Sequence, residues 1–401
     1  MISVEEARGR ILDSLRPGPA EIVALAEAWN RVTAQDVVAR LTQPPADMSA
    51  MDGYALRSAD GGLDAVLAVV GSAPAGHPFA GRVAVGQAVR LFTGSVVPDG
   101  ADAILLQEDA TRDGETVRVN EAVVAGRHIR RAGQDFAAGD VVIQAGRRMT
   151  ARDVGLAAAA NHPWVAVHRC PRVAVLATGD EIAMPGEPIP SGGIVSSNSH
   201  ALAALVRAAG GEPMILPIAR DDHDVIGAVA DSVAGMDMLV TTGGASVGDH
   251  DLVISALQAR GMTLDFWQIA MRPGKPLLFG QLGATPVLGL PGNPVSAMVC
   301  AILFLLPALS RLSGLPAAPP PVSTAVLGAA VKANDKRADH LRAVVSVDSA
   351  GRTVVTPFQV QDSAMLRRLA HADALILRAP HAPALPEGAE VGIIRLDSLG
   401  L

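Results

Sequence analysis

Length, composition and a change of texture along the chain predict a multidomain α/β and β protein built around a doubly wound, mostly parallel sheet. The sequence has 401 residues, more than one domain of about 150 residues accommodates. Hydrophobic residues make up 49% against 18% charged, which is enough apolar surface to close several cores. From Arg172 to about Gly314, apolar runs alternate with helical stretches, the pattern of a parallel sheet covered by helices on both faces. The segments on either side have the shorter rhythm of small β domains.

Ser3 followed by Glu6 reads as a capping box, and Val4, Ala7, Ile11, Leu12 and Leu15 recur at helical spacing until Pro17-Gly18-Pro19. A second apolar-periodic stretch, Ile22 to Trp29, leads into the short strand Asp36-Val37-Val38, and Pro44-Pro45 opens a different texture. Val66 to Val70, Ala88 to Phe92, Ala103 to Leu106 and Thr116 to Val119 are β-type runs bounded by Gly, Pro or Asp. Helical signal returns at Thr150, an N-cap with Asp153 three residues on, so the β piece reads as an insertion.

Val173 to Ala177 is a continuous apolar strand, followed by a helix from Ser199 to Ala209 that ends at Gly210-Gly211. Met214 to Ile218, a helix to about Val233, Met238 to Val240, a helix to about Arg260, Leu264 to Ile269, Val287 to Leu290 and a long helix from Pro294 complete the alternation. Pro316 to Pro321 is a stiff linker. Beyond it, Leu341 to Val347, Thr353 to Phe358, Ala374 to Leu377 and Val391 to Leu396 form a small β domain. The predicted units are an N-terminal helical, elongated domain (residues 1–46 and 131–170), an inserted β domain (47–130), the α/β domain (171–315) and a C-terminal β domain (322–401).

A formal charge of −7 and only 3% aromatic residues argue against a nucleic-acid binder, which needs a basic footprint or stacking rings. Cys170 and Cys300 stand far apart with no Cys/His cluster, so neither a zinc site nor a disulfide framework is expected and a reducing cytoplasm fits. The acidic, amphipathic amino terminus does not read as a signal peptide. The apolar run Val295 to Leu306 is shorter than the ~20 residues of a membrane span and meets Pro307; it reads as a buried helix, with no membrane partner. The sequence also lacks G-x-G-x-x-G, the P-loop, H-E-x-x-H and G-x-S-x-G, which removes the commonest dinucleotide, phosphate-loop, zinc-protease and serine-hydrolase readings.

Ligands of an open parallel sheet bind at the carboxyl ends of its strands, and the loops there are rich in chemistry. They are Thr178-Gly179-Asp180-Glu181, Arg220-Asp221-Asp222-His223, Thr241 to Gly248 with its Thr-Gly-Gly turn, and Pro291-Gly292-Asn293-Pro294. Glycines there let backbone amides approach an anion. Carboxylates at Glu181, Asp221, Asp249 and Asp251 gathered near a phosphate point to a hard cation, magnesium. Capping of the following helices is the competing reading for Asp221, Asp222 and Asp249. Arg272-Pro273-Gly274-Lys275-Pro276 places two cations between prolines, pre-organised for an oxyanion. Met51-Asp52-Gly53-Tyr54, Phe92-Thr93-Gly94 and Arg130 to Asp135 are weaker signals, since such sequences often mark turns or solvated charge. Lys336 to Arg342 is a basic turn entering a strand, and Ser363 reads as a ligand contact or an N-cap.

Taken in order, Ser49-Ala-Met-Asp-Gly-Tyr-Ala55, Phe92-Thr-Gly94, Thr178-Gly-Asp-Glu181, Thr242-Gly-Gly-Ala-Ser-Val-Gly248, Arg272-Pro-Gly-Lys-Pro276 and Leu290-Pro-Gly-Asn-Pro294 closely resemble the molybdopterin molybdenumtransferase family, which comprises bacterial MoeA and the E domain of gephyrin. The resemblance covers essentially the whole chain. It implies a central domain similar to the single-domain MogA-like sister family. It further implies a cytoplasmic homodimer that accepts adenylylated molybdopterin, inserts molybdate with Mg²⁺ and releases AMP. Molybdopterin adenylyltransferase and apo-molybdoenzymes are the implied partners.

By motif match, Asp52 and Thr93 come from the facing subunit, while Glu181, Asp221 and Asp251 line the nucleotide and metal site, with Glu181 and Asp221 on the metal. Thr178, Gly179, Asp180, Gly243, Gly244, Ser246, Pro291, Gly292 and Asn293, together with Asp135, fall to substrate binding. Arg272, Lys275, Arg337 and Ser363 match positions associated with molybdate, and Lys275 is also read as catalytic. The chain departs from the family pattern at Arg272, usually Lys, at Met48, commonly Asn, and at Asp339-His340, usually an acidic-aromatic pair. A molybdopterin adenylyltransferase step and a non-catalytic molybdopterin-binding scaffold are the alternatives. The extra domains count against the first, and the retained carboxylates and cations against the second.

Overall fold

The computed structural model describes residues 1–243 and 252–399. Its centre is a six-stranded sheet in the order Glu212–Ile215, Arg172–Ala177, Met238–Thr242, Thr285–Leu290, Pro276–Leu282, Met262–Gln268. The first four strands are parallel, and Pro276–Leu282 pairs antiparallel with both of its neighbours. Side chains alternate across a strand, and the sheet's two faces show it. Val173, Val175, Met238, Val240 and Leu288 share one core with Leu202, Leu205, Val206 and the helix that begins at Pro294. Ala174, Leu176, Leu239 and Val287 share the other with Ile226, Val253, Ala256 and Leu257. The Pro276–Leu282 strand was not expected from the sequence, because Pro276 and Gly280 interrupt its apolar run.

The first helix, Val4–Ser14, belongs to this central core through Val4, Ala7, Ile11 and Leu15. It therefore does not pack in the elongated N-terminal unit to which residues 1–46 were assigned. Its capping box is half made: Ser3 Oγ accepts from the Glu6 N–H at 3.0 Å, while the Glu6 carboxylate turns to Arg10 at 2.7 Å. The elongated unit is also less helical than expected. Ala20–Ala24 pairs antiparallel with Trp164–His168, and Val37–Val38 with Val141–Ile143, because the Ile22 stretch alternates in burial as a strand does.

The Ala151–Ala159 helix of that unit carries a complete capping box. Asp153 is 4% exposed; burial pushes its carboxyl up, but hydrogen bonds from the Thr150 N–H (2.8 Å) and hydroxyl (2.7 Å) and from Arg147 Nε (2.8 Å) outweigh it and hold the group low. Asp153→Ala is expected to lower stability by about 2 kcal/mol, read as a fall in the urea midpoint. The depressed carboxyl contributes stability above its unfolded value and loses it as pH falls, so the gap between variant and wild type narrows in acid.

The inserted domain is a six-stranded sheet ordered Ala103–Leu106, Gly53–Leu56, Gln87–Leu91, Val66–Ala73, Thr116–Val119, Ala110–Asp113. In the C-terminal domain, Ala338–Val347, Thr353–Pro357, Ser323–Leu327, Glu390–Arg395 and Ala374–Arg378 close on themselves through the Ala338–Val347 and Ala374–Arg378 pairing. One further pairing joins this barrel to the central domain: Met271 lies beside Ala338 and Arg272 beside Asp339, in parallel. That short ladder brings the Arg272–Pro276 turn against the barrel.

The core helix does not stop at Pro307. It runs from Pro294 to Leu312, 19 residues long and 78% buried within the protein, and a π-helical turn at Ala301–Leu305 leads into Leu306–Leu312. The widened turn loosens the ordinary hydrogen-bond ladder just where Pro307 lacks its N–H and needs room for its ring. The helix is long and apolar enough to cross a bilayer, yet its side chains, Phe304 at 0% exposure among them, are spent on the central core.

Candidate active site

A cleft of about 970 Å³ opens over the carboxyl ends of the parallel strands. Gly179, Glu181, Asp221, Thr242, Gly243, Pro291, Gly292 and Asn293, all from the strand-end loops singled out in the sequence, line one part of it. Thr178 and Asp180 stand beside that lining. The Thr178 N–H donates to the Thr242 carbonyl at 3.1 Å, and its Oγ1 is buried with no partner among the described residues. Gly179 takes φ +144°, with the Glu181 carboxylate 2.5 Å from where a Cβ would stand. Only glycine lets that carboxylate fold back across the turn.

Asp180 Oδ1 accepts the Asp221 N–H at 3.2 Å, so Asp180, Glu181 and Asp221 gather on one side of the cleft. Desolvation, followed by the charges of Asp180 and Glu181, pushes the Asp221 carboxyl up. Asp222 does what the capping alternative held: its Oδ1 accepts from the Asp224 and Val225 N–H groups at 2.9 Å each. Gly244, Ser246, Asp249 and Asp251 lie outside the described residues.

Asn198, at the start of the Asn198–Ala208 helix, escaped the sequence analysis. Its Nδ2 donates to Thr242 Oγ1 and to the Gly292 carbonyl, both at 2.8 Å, tying two of the loops together. Ser196 and Ser197 also line the cleft. The polar run Ser196 to Ser199 ahead of an apolar helix was the signal available.

The far side belongs to the C-terminal domain. Asn293 stands at the cap position of the core helix, but its Nδ2 donates to Ser363 Oγ at 3.1 Å, and the Val295 N–H donates to the Ser363 carbonyl at 3.0 Å. Ser363 is therefore a loop contact; the helix after it begins at Leu366 with no side-chain cap. Ala364 and Pro276, direct neighbours of Ser363 and Lys275, line the cleft. Arg272 donates from Nε (3.1 Å) and Nη2 (2.5 Å) to Asp339 Oδ2 and from Nη2 to Asn334 Oδ1 (3.3 Å), and its Nη1 lies 3.5 Å from Asp335 Oδ2. Arg337 Nη2 donates to that same Asp335 oxygen at 3.0 Å. These contacts, above all Asp339, hold the Arg272 guanidinium more firmly protonated than usual. Lys275 forms no ion pair among the described residues.

Asp52 and Thr93 form a cluster of their own on the inserted domain. Asp52 Oδ1 accepts the Thr93 N–H and hydroxyl, each at 2.8 Å, and those bonds lower its carboxyl. Neither residue lines the cleft, and nor does Asp135, which is exposed and donates its N–H to the Gln43 carbonyl. Burial pushes the Cys300 thiol up, which leaves it a poor nucleophile. Cys170→Ala and Cys300→Ala are expected to retain turnover within about threefold in a steady-state assay, since Cys170 is half-buried, Cys300 is buried in the core, and neither lines the cleft.

Fold and cleft together define a multidomain protein whose ligand site opens over the carboxyl ends of a central α/β sheet. Residues 174–311 match the family model described as a probable molybdopterin binding domain. Residues 2–161 match the MoeA N-terminal region (domains I and II), and residues 324–396 the MoeA C-terminal region (domain IV). The molybdopterin molybdenumtransferase of Haemophilus influenzae is 33% identical over 382 residues, 94% of each chain. Molybdopterin molybdenumtransferase 2 of Mycobacterium tuberculosis is 36% identical over 387 residues, covering 94% of this chain and 95% of its own. The crystal structure of the molybdopterin biosynthesis MoeA protein from Pyrococcus horikoshii OT3 superposes with a TM-score of 0.85 at 27% identity, covering 98% of this chain and 99% of that one. The chain belongs to the MoeA family and is, like those relatives, a transferase.

Proposed function

We propose that the chain inserts molybdate into adenylylated molybdopterin, releasing AMP and molybdenum cofactor, in the cytoplasm and as a homodimer. The observation that supports this most is the meeting of two chemistries in one cleft. Glycine turns and carboxylates form one side; on the other, Pro276 and Ala364, chain neighbours of Lys275 and Ser363, line the cleft, and Asn293 donates to Ser363. On this reading the amides around Gly179, Gly243 and Gly292 bind the phosphates of the pterin nucleotide. Arg272, Lys275, Arg337 and Ser363 hold the tetrahedral dianion beside the dithiolene, Arg272 with a planar fork where the family usually has lysine.

Asp180 accepts the Asp221 N–H, and the charges of Asp180 and Glu181 bear on the Asp221 carboxyl. No three His, Cys, Asp or Glu side chains among the described residues are placed to hold a metal by themselves, so magnesium would take most of its ligands from elsewhere. That ion keeps several waters and shares its ligands with substrate phosphates. Glu181 and Asp221 would hold it, and when bound it neutralises phosphate charge and polarises the P–O bond. Asp52 and Thr93, neither of which lines the cleft of its own chain, are on this reading supplied by the facing subunit. Molybdopterin adenylyltransferase would deliver the substrate and apo-molybdoenzymes receive the product.

The test is AMP release from adenylylated molybdopterin with Mg²⁺, with and without molybdate, followed by reconstitution of an apo-molybdoenzyme. Release that depends on molybdate and yields active cofactor is expected. Tight binding of the adenylate with no release, in molybdate or tungstate, would overturn the reading in favour of a binding scaffold.

A further inference from the structure

The two arginines read above as oxyanion ligands are already engaged by carboxylates, and the two carboxylates are not alike. Asp339 is buried, its side chain 9% exposed, and takes two donors of Arg272 on one oxygen. Asp335 is 45% exposed, and its Oδ2 bridges Arg272 at 3.5 Å and Arg337 at 3.0 Å. The charges of Arg272 and Arg337 are thereby cancelled by Asp335 and Asp339, so the cluster offers a dianion no net attraction until one carboxylate leaves.

We propose that Asp335 is an internal competitor for the oxyanion: its carboxylate occupies the place between Arg272 and Arg337 and is displaced by the incoming dianion. With Asp335 withdrawn, Arg272 and Arg337 outweigh Asp339 by one charge, so a dianion meets an attraction that the closed cluster does not offer. A monovalent anion replaces the carboxylate with no gain in charge, so the exchange favours dianions. This inference rests on the molybdate-insertion reading.

The geometry separates competition from mere support. Arg272 is oriented without Asp335, by Asp339 and by Asn334 Oδ1. Asn334 is itself fixed by donating to the carbonyls of Arg337 (2.7 Å), Arg378 (3.2 Å) and Ala379 (2.9 Å). Asp335 Oδ1 accepts the Arg337 N–H at 2.9 Å, a turn that asparagine reproduces without the charge. Asp335→Asn therefore removes the competitor and keeps the loop.

The experiment measures the molybdate KM for AMP release and, separately, molybdate binding by equilibrium dialysis, for wild type, Asp335→Asn and Asp335→Ser. The expected result is a KM and a dissociation constant for molybdate lower by a factor of about two to five, the worth of an exposed ion pair. Chloride should also inhibit the variants more strongly than the wild type. In an Arg337→Ala background the gain from Asp335→Asn should shrink, because one of the two bridged cations is gone. If wild type shows molybdate-dependent release and the variants bind molybdate equally or more weakly, Asp335 is a prop and the competitor is overturned while the reaction stands. If wild type shows no molybdate-dependent release, the reaction itself fails, and dialysis still decides whether Asp335 contests an oxyanion.

Discussion

Asp221→Asn is expected to lower the rate of AMP release by about 10²–10³-fold, the usual cost of removing one electrostatic group from a reacting centre, while making the ligand-free protein more stable at neutral pH. Both effects have one cause. Asp221 is partly desolvated and faces Asp180 and Glu181, which raises its carboxyl above the reference 3.8. A carboxyl with a raised folded-state pKa binds its proton more tightly in the folded than in the unfolded chain. Stability is therefore greatest below 3.8 and falls as pH rises from there through the raised value. Above that window the cost is fully present, and asparagine removes it. In EDTA the variant should melt higher than wild type at pH 7, with the gap closing below pH 3.8. Adding Mg²⁺ should raise the wild-type melting temperature by mass action and move the variant much less. A variant that melts lower at neutral pH in EDTA would mean that Asp221 supports the loop rather than straining it. Such a trade of stability for chemistry is common where like charges are gathered for a ligand.

What the sequence revealed and what it hid follow from how local each signal is. The cleft loops were legible because Thr178-Gly-Asp-Glu181 and Pro291-Gly-Asn-Pro294 carry their chemistry in adjacent residues, just after apolar strands whose alternating faces fix the sheet. Thr150 with Asp153 declared a helix start for the same reason. Asn198 was hidden because its partners, Thr242 and Gly292, are 44 and 94 residues away, and only the parallel sheet brings the loops together. The competition at Asp335 was hidden too, since it depends on the Met271–Arg272 ladder against Ala338–Asp339, a contact between domains. Asp52 and Thr93 stand in separate motifs, 41 residues apart. The register that sets Gly53 opposite Leu91 makes them one hydrogen-bonded unit. Pro307 misled because a proline normally ends a helix, and nothing local marks the π-helical turn that admits it.

Gly243→Ala is expected to be the most damaging single-methyl change in the cleft. Gly243 has φ +97°, and a Cβ there would stand far inside 3.0 Å of the Thr178 carbonyl oxygen. That carbonyl cannot retreat, because the Thr178 N–H is bonded to the Thr242 carbonyl and the strands behind pair Leu176 with Thr241 and Ala177 with Thr242. Gly292 approaches from the opposite side, its own Cβ position 3.5 Å from the Gly243 Cα. Gly235 supplies the control: it has φ +88° with nothing within 4 Å of its Cβ position, so Gly235→Ala bears the conformational cost alone, about 1–2 kcal/mol. Gly243→Ala adds the clash and should cost upwards of about 3 kcal/mol, with loss of nucleotide binding as the loops part. Urea unfolding of both variants, with adenylylated molybdopterin binding measured alongside, separates the two contributions. Equal losses of stability would show that backbone conformation alone accounts for the glycine. A larger loss at Gly243 would show that the three loops meet too closely for any side chain, which is the same closeness that brings their amides to a single ligand.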